Sequence, residues 1–223
     1  LRMLVSNWMT EDVVTTGPST SMKEAIRLMQ NHHIGILPVL KREKIVGVVT
    51  DLDIKRASAS EATLLSVHEL LAVLSKVKMK DIMQTEPITA PYNHTIEEVA
   101  ETMMAHKISG MPVVDNRARL VGVITQTDVF KALISLTGSD KKGIQFAFQI
   151  EDRSGSIKEL VDIIREYGGR LLSVLTSYDC APTGYRNLYI RTFAVNRHNL
   201  WELKLKLAKR AQLTYMIDHR ENI

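Results

Sequence analysis

The segment IVGVVTDLDIKRA at residues 45–57 returns as LVGVITQTDVFKA at residues 120–132, and this duplication limits the possible folds more than any other feature of the chain. Val46-Gly47-Val48-Val49-Thr50 falls on Val121-Gly122-Val123-Ile124-Thr125, and Asp53 falls on Asp128, 75 positions on. Upstream the correspondence continues at a spacing of 74. There His32-His33-Ile34 and Leu37-Pro38-Val39 meet His106-Lys107-Ile108 and Met111-Pro112-Val113. Met22, Ala25, Ile26 and Met29 meet Ile96, Val99, Ala100 and Met103, and Trp8-Met9 meets Ile82-Met83. The second copy has gained one residue, around Ala118.

Each copy reads as β-α-β-β-α. Val13-Val14 is a short strand signal that ends at Gly17-Pro18. Met22, Ala25, Ile26 and Met29 follow at helical spacing behind a Ser21/Glu24 capping box, which Thr95/Glu98 repeats in the second copy. Residues 35–40 read as a strand, residues 41–44 as a turn, and the β-branched run 45–50 as a strand buried on both faces. A second helix starts near Asp51. One such unit cannot cover its own sheet, so two are expected to pack together. Between them, residues 61–76 predict a helix with Leu64, Val67, Leu71 and Leu74 on one face, a linker with Leu65, Leu70 and Val73 widening it toward a dimer contact.

After residues 137–140 the pattern changes. Ile144, Phe146, Phe148 and Ile150 alternate as in a half-buried strand, and Ile157, Leu160, Val161 and Ile164 mark a helix stopped by Gly168-Gly169. Strands are expected at 171–178 and 188–195, a helix over Leu200, Leu203 and Leu207, and a last strand at 213–217. The order β-α-β-β-α-β is ferredoxin-like.

Composition excludes several classes. The 223 residues suffice for two or three small domains, and 45% hydrophobic with 24% charged residues is ordinary globular content. Cys180 is the only cysteine, so neither an intrachain disulfide nor a cysteine-based metal site can form, and no metal is expected. The apolar stretch 64–74 is broken by Ser66, His68 and Glu69 and falls short of the roughly 18 residues a spanning helix needs. Residues 5–10 do not read as a secretory leader. A soluble, cytoplasmic protein is expected. The basic run at residues 204–210, with a pI near 9.1, leaves a nucleic-acid-binding regulator as an alternative. No phosphate loop, nucleophile elbow or Cys-His pair points to an enzyme.

Thr50-x-x-Asp53 and Thr125-x-x-Asp128 carry two readings. A Thr followed three residues later by an acid is a helix capping box. It is also a place where helix amides attract phosphate, a hydroxyl can reach a phosphate oxygen, and a carboxylate can accept from two ribose hydroxyls.

The two copies resemble the cystathionine-β-synthase-type repeats, CBS domains, through Gly47-Val-Val-Thr50-x-x-Asp53 and Gly122-Val-Ile-Thr125-x-x-Asp128. The resemblance implies a pseudo-twofold pair with two clefts that bind an adenine nucleotide (AMP, ADP or ATP) or S-adenosylmethionine. Thr50 and Thr125 would contact phosphate and Asp53 and Asp128 ribose. Gly35, Ile36 and Pro38, and Ser109, Gly110 and Pro112, would line the adenine slots, with Thr16 and Ala90 nearby. Basic residues are missing at Gly35, Ile36, Ser109 and Gly110, so phosphate charge would be met by His32, His33, His106, Lys107, Lys55, Arg56 or Lys131. The last third resembles an ACT domain through Asp152-Arg-Ser-Gly155-Ser-Ile157, which implies an amino-acid site at Asp152, Ser154, Gly155 and Ile157 and pairing into a homodimer. The arrangement as a whole resembles the AcuB family of acetoin-utilisation proteins. It implies repeats at 3–58 and 80–140, a linker helix at 59–79 and an ACT domain at 143–218. Together these imply a non-enzymatic regulatory protein acting on an unknown protein target, with a ligand-free structural dimerisation module as the remaining alternative.

Overall fold

The structure, a computed structural model, describes residues 3–61 and 74–220, which form two compact units, Leu1–Ala132 and Leu133–Ile223. The linker helix expected over 61–76 lies almost wholly outside the described residues. Of its apolar stripe only Leu74 is described, buried in the core of the first repeat.

In the first unit, α1 (Met22–His32) starts at Ser21, whose hydroxyl accepts from the Glu24 amide. It ends at His33 in the left-handed region, φ 52°. The chain reverses there into β1 (Ile36–Lys41), which pairs antiparallel with β2 (Lys44–Thr50) through a turn in which Arg42 and Glu43 both have positive φ. Helix α2 (Asp51–Glu61) follows. The second repeat repeats the plan after the short α3 (Met79–Ile82), β3 (Gln84–Thr85) and β4 (Ala90–Pro91). Its α4 (Ile96–His106) has the full Thr95/Glu98 capping box and ends at Lys107 with φ 54°, matching His33. β5 (Gly110–Val114), β6 (Leu120–Thr125) and α5 (Gln126–Thr137) complete it. The extra residue of the second copy sits in the β5–β6 turn, where Ala118 has φ 57°.

Asp115 closes that turn. Its carboxylate accepts from the Arg119 and Arg117 amides at 2.9 and 2.8 Å and from the Arg119 guanidinium, and these bonds, the Arg119 amide first, lower its pKa from 3.8 to about 2. Because the folded state favours the ionised form, the stabilisation is present above the ordinary carboxylate pKa and is lost as pH falls from about 4 to about 2. Asp115→Asn is therefore expected to melt below the parent at pH 7, the gap closing through that window in thermal scans.

The Val13-Val14 signal does not form a strand. It lies between two isolated bridges, Thr10 to Val123 of the second repeat and Thr16 to Val39 of the first, so this segment crosses from one sheet to the other. The second copy does the same, with β3 pairing with β2 of the first repeat and β4 with β5 of its own. Packing follows the pairing. Val5 belongs to the core of Ile96, Val99, Met103, Met111, Val113 and Ile124, whereas Met79, its counterpart 74 residues on, is buried among Met22, Ala25, Leu37, Val39 and Val49. The arm that precedes each repeat completes the core of the other. The repeats therefore form one packed body, because either arm left in water would expose its apolar residues.

The second unit forms a four-stranded antiparallel sheet in the order β10-β7-β9-β8: β7 (Ile144–Glu151), β8 (Arg170–Ser177), β9 (Tyr185–Phe193) and β10 (Gln212–Asp218). Helices α6 (Ser156–Glu166) and α7 (Leu200–Arg210) cover one face. Phe146, Phe148, Ile150, Leu188 and Ile190 from the sheet meet Leu160, Ile164, Leu203 and Leu207 from the helices. This is the ferredoxin-like βαββαβ order expected from the periodicity. No helix among the described residues is long and apolar enough to cross a membrane.

Candidate functional site

The exchange of arms creates two related cavities in the first unit. One, of about 400 Å³, combines Thr10, Asp12, Val13 and Val14 from the crossing segment and His33, Ile34, Gly35 and Ile36 from the start of β1 with Thr125, Thr127, Asp128 and Lys131 at the start of α5. The other, of about 290 Å³, is built from the counterparts: Gln84, Glu86, Pro87 and Ile88, then Lys107, Ile108, Ser109 and Gly110, set against Thr50, Asp53 and Arg56 of the first repeat. Each Thr-x-x-Asp therefore faces the strand starts of the opposite repeat. Both cavities are in the size range of small-molecule sites and carry apolar walls with a few polar groups.

The capping reading of Thr-x-x-Asp is observed, and it uses only one of the two oxygens of each carboxylate. Asp53 Oδ2 accepts from the Thr50 amide at 2.9 Å and from the Thr50 hydroxyl at 2.6 Å, and the Asp53 amide donates back to the hydroxyl oxygen at 3.2 Å. Asp128 Oδ2 accepts from the Thr125 amide and hydroxyl at 3.0 and 2.7 Å. This capping leaves the second oxygen of each carboxylate. Asp53 Oδ1 accepts from the Gln84 side-chain amide at 3.3 Å, and Asp128 Oδ1 from Lys131 Nζ at 3.2 Å. Gln84 and Lys131 are exposed side chains that a better donor can displace. Each threonine hydroxyl has committed its one proton to the carboxylate. It offers only lone pairs elsewhere and would hold a phosphate oxygen only after that proton turned.

Of the residues named from the sequence, Gly35, Ile36, Thr125 and Asp128 line the larger cavity, Thr50 and Asp53 the smaller, and Ser109 and Gly110 both. Thr16, Pro38, Ala90 and Pro112 line neither. All four are buried; Pro38 and Pro112 share a strand face with Ile36 and Gly110 but lie two residues further along, beyond the strand starts that line the cavities. The Thr16 hydroxyl is buried with no hydrogen-bond partner among the described residues. Among the cation candidates His33 and Lys131 line the larger cavity and Arg56 and Lys107 the smaller, while His32, His106 and Lys55 line neither. Sequence reading missed Asp12 and Glu86, whose signal was the 74-residue spacing that places both in the crossing arms.

In the second unit the turn at Asp152-Arg153-Ser154-Gly155 has Gly155 at φ 83° with open space where a side chain would stand. Asp152 lies 3.5 Å from Arg186. The cavity beside the turn is lined by Arg153, Ser156, Glu159 and Arg210 and not by Asp152, Ser154, Gly155 or Ile157. Arg153 and Arg210 both hold Glu159, lowering its pKa, with the Arg153 hydrogen bond the largest cause. The basic run at 204–210 is partly spent inside the protein. Lys206 pairs with Glu166 at 2.5 Å, Arg210 with Glu159, and Lys204 lies over the Trp201 ring. Among the described residues no cluster of His, Cys, Asp or Glu could hold a metal ion.

Two α/β repeats that exchange arms, with one Thr-x-x-Asp at each of two clefts, define a paired-repeat module. The chain belongs to the CBS-domain family, whose model matches residues 5–60 and 79–135. The CBS domain pair of protein MJ0100, solved with 5′-methylthioadenosine and S-adenosyl-L-methionine, is 30% identical, with TM-score 0.51, over 58% of this chain and 94% of that one. A Vibrio cholerae chain described as an acetoin utilization protein (AcuB) is 25% identical, with TM-score 0.52, over 63% of this chain and 97% of that one. Inosine-5′-monophosphate dehydrogenase of Korarchaeum cryptofilum is 36% identical over 53% of this chain, and protein MJ1225 of Methanocaldococcus jannaschii 29% identical over 57%. The chain spans only 22% and 46% of the length of those two proteins.

Proposed function

We propose that the chain is a non-enzymatic sensor that binds an adenine nucleotide or S-adenosylmethionine in its two clefts and modulates a protein partner. The observation that carries this reading is the divided carboxylate. In both clefts one oxygen of Asp53 or Asp128 is fixed by the threonine while the other is held only by an exposed cavity-lining side chain, Gln84 or Lys131, and is left to serve as an acceptor for a vicinal diol. Apolar walls opposite, Val14 and Ile36 in one cleft and Ile88 and Ile108 in the other, suit a planar base. That the MJ0100 pair binds two adenosine derivatives supports the same chemistry here. The second unit is read as an ACT-type domain that pairs two copies into a cytoplasmic homodimer, with Asp152, Ser154, Gly155 and Ile157 as the candidate amino-acid turn. Domain limits of 3–58, 80–140 and 143–218 go with this reading. Mass spectrometry of small molecules released on denaturation of freshly purified protein, followed by calorimetric titration, tests it. The expected result is an adenosine compound that also raises the melting temperature. If no adenosine compound co-purifies or raises the melting temperature, the pair is a structural module.

A further inference from the structure

We propose that the two clefts are sorted by charge. The Asp128 cleft would take an adenosine derivative with a neutral or cationic 5′ substituent, and the Asp53 cleft a 5′-phosphorylated nucleotide. This deepens, and rests on, the adenosine reading above.

The clefts are counterparts, so differences between equivalent positions are informative. Three charged pairs keep their sign: Asp12 with Glu86, Asp128 with Asp53, and Lys131 with Arg56. Two do not. His33 stands in the Asp128 cleft where Lys107 stands in the other, each the left-handed residue that ends its helix. Asp51, whose amide donates to the Gly35 carbonyl, corresponds to Gln126, whose amide donates to Ser109. The Asp128 cleft thus sets three carboxylates against one lysine, whereas the Asp53 cleft sets two against Arg56 and Lys107.

Existing pairs sharpen the contrast. Lys131 is already held by Asp128 at 3.2 Å, and Asp51 is held at 2.6 Å by Lys55, an exposed side chain outside the cavity wall. In the Asp53 cleft the carboxylate is held by neutral Gln84, and no ion pair within 4.0 Å engages Arg56 or Lys107 among the described residues. A phosphate dianion entering the Asp128 cleft would meet Asp12 and Asp51 with its one ammonium occupied. In the other cleft it would meet two available cations. Most of these charges stand exposed at the cavity rims, so the difference steers whatever binds at low ionic strength and shrinks as salt is added. An uncharged thioether gains or loses nothing comparable in either cleft, whereas a sulfonium is disfavoured beside Arg56 and Lys107 in the Asp53 cleft and favoured among the carboxylates of the Asp128 cleft.

The test is calorimetric titration of the full chain with AMP, with 5′-methylthioadenosine, and with each after saturation by the other. The expected result is that the two bind together. Asp53→Ala should weaken AMP at least about tenfold and Asp128→Ala should do the same to 5′-methylthioadenosine. Arg56→Gln with Lys107→Gln should weaken AMP alone, and Asp51→Asn should admit AMP to the second cleft, seen as a rise in stoichiometry. Equal affinity of both compounds for both clefts, or mutual exclusion, overturns the sorting while leaving the adenosine reading intact. Binding of neither compound, with no melting shift, overturns that reading and the sorting with it. Melting scans confirm that each variant is folded, and Lys107→Arg, expected to restore AMP binding, separates charge from packing.

Discussion

Asp128→Ala is expected to weaken adenosine-ligand binding in its cleft ten- to a hundredfold and to lower stability by about 1–2 kcal/mol. Both effects come from one carboxylate. Its Oδ2 satisfies the Thr125 amide and hydroxyl, and its Oδ1, on a cavity-lining side chain only 8% exposed, accepts only from the exposed Lys131. Alanine leaves the amide and hydroxyl without this acceptor and removes the one that would meet a diol. Asp128→Asn separates the roles. Its carbonyl can replace Oδ2 at the Thr125 amide, so stability returns toward the parent, while the NH2 group that replaces Oδ1 can no longer accept, so affinity stays low. Titration calorimetry with thermal denaturation reads both. Unchanged affinity in Asp128→Ala and Asp53→Ala alike would reduce the motif to a helix cap.

Gly122→Val is expected to cost about 3 kcal/mol, and Gly122→Ala about 1 kcal/mol. A Cβ at Gly122 would stand 2.6 Å from Met9 Sδ and 3.1 Å from the Thr10 carbonyl oxygen. The methionine can swing away, but the carbonyl cannot, because Thr10 and Val123 exchange both backbone hydrogen bonds, at 2.9 and 3.0 Å. Gly47 meets Met83 and Gln84 in the same way. Chemical denaturation would show the loss as a shifted midpoint. Met9→Ala in the Gly122→Ala background should recover part of it, since the two sites share one contact. Full stability of Gly122→Val would mean that the arm is not held against β6. Displacing the arm should also weaken ligand binding, since Asp12, Val13 and Val14 ride on it.

The resemblance to CBS domains placed the glycines within a nucleotide motif. The structure gives them a mechanical reason as well: each is the point where the other repeat's arm crosses the sheet.

Local pattern alone settled much of this protein. The helical stripe of Met22, Ala25 and Met29, the Thr95/Glu98 box, the alternation of Phe146 and Phe148 and the Gly168-Gly169 stop each depend on neighbours within a few residues, so period and capping chemistry show them directly. The repeat likewise showed that the Thr-x-x-Asp motif occurs twice behind the same kind of strand. Tertiary structure decided which halves make each site. Val5 packing in the second repeat, Met9 lying on Gly122 and Asp128 facing His33 join residues about a hundred positions apart. Such contacts leave no periodic trace, because an arm of a few apolar residues reads the same whichever sheet it completes. Val13-Val14 shows the consequence: its apolar character announced a strand, but a segment passing between two sheets can pair fully with neither, and the unpaired stretch became a wall of the cleft.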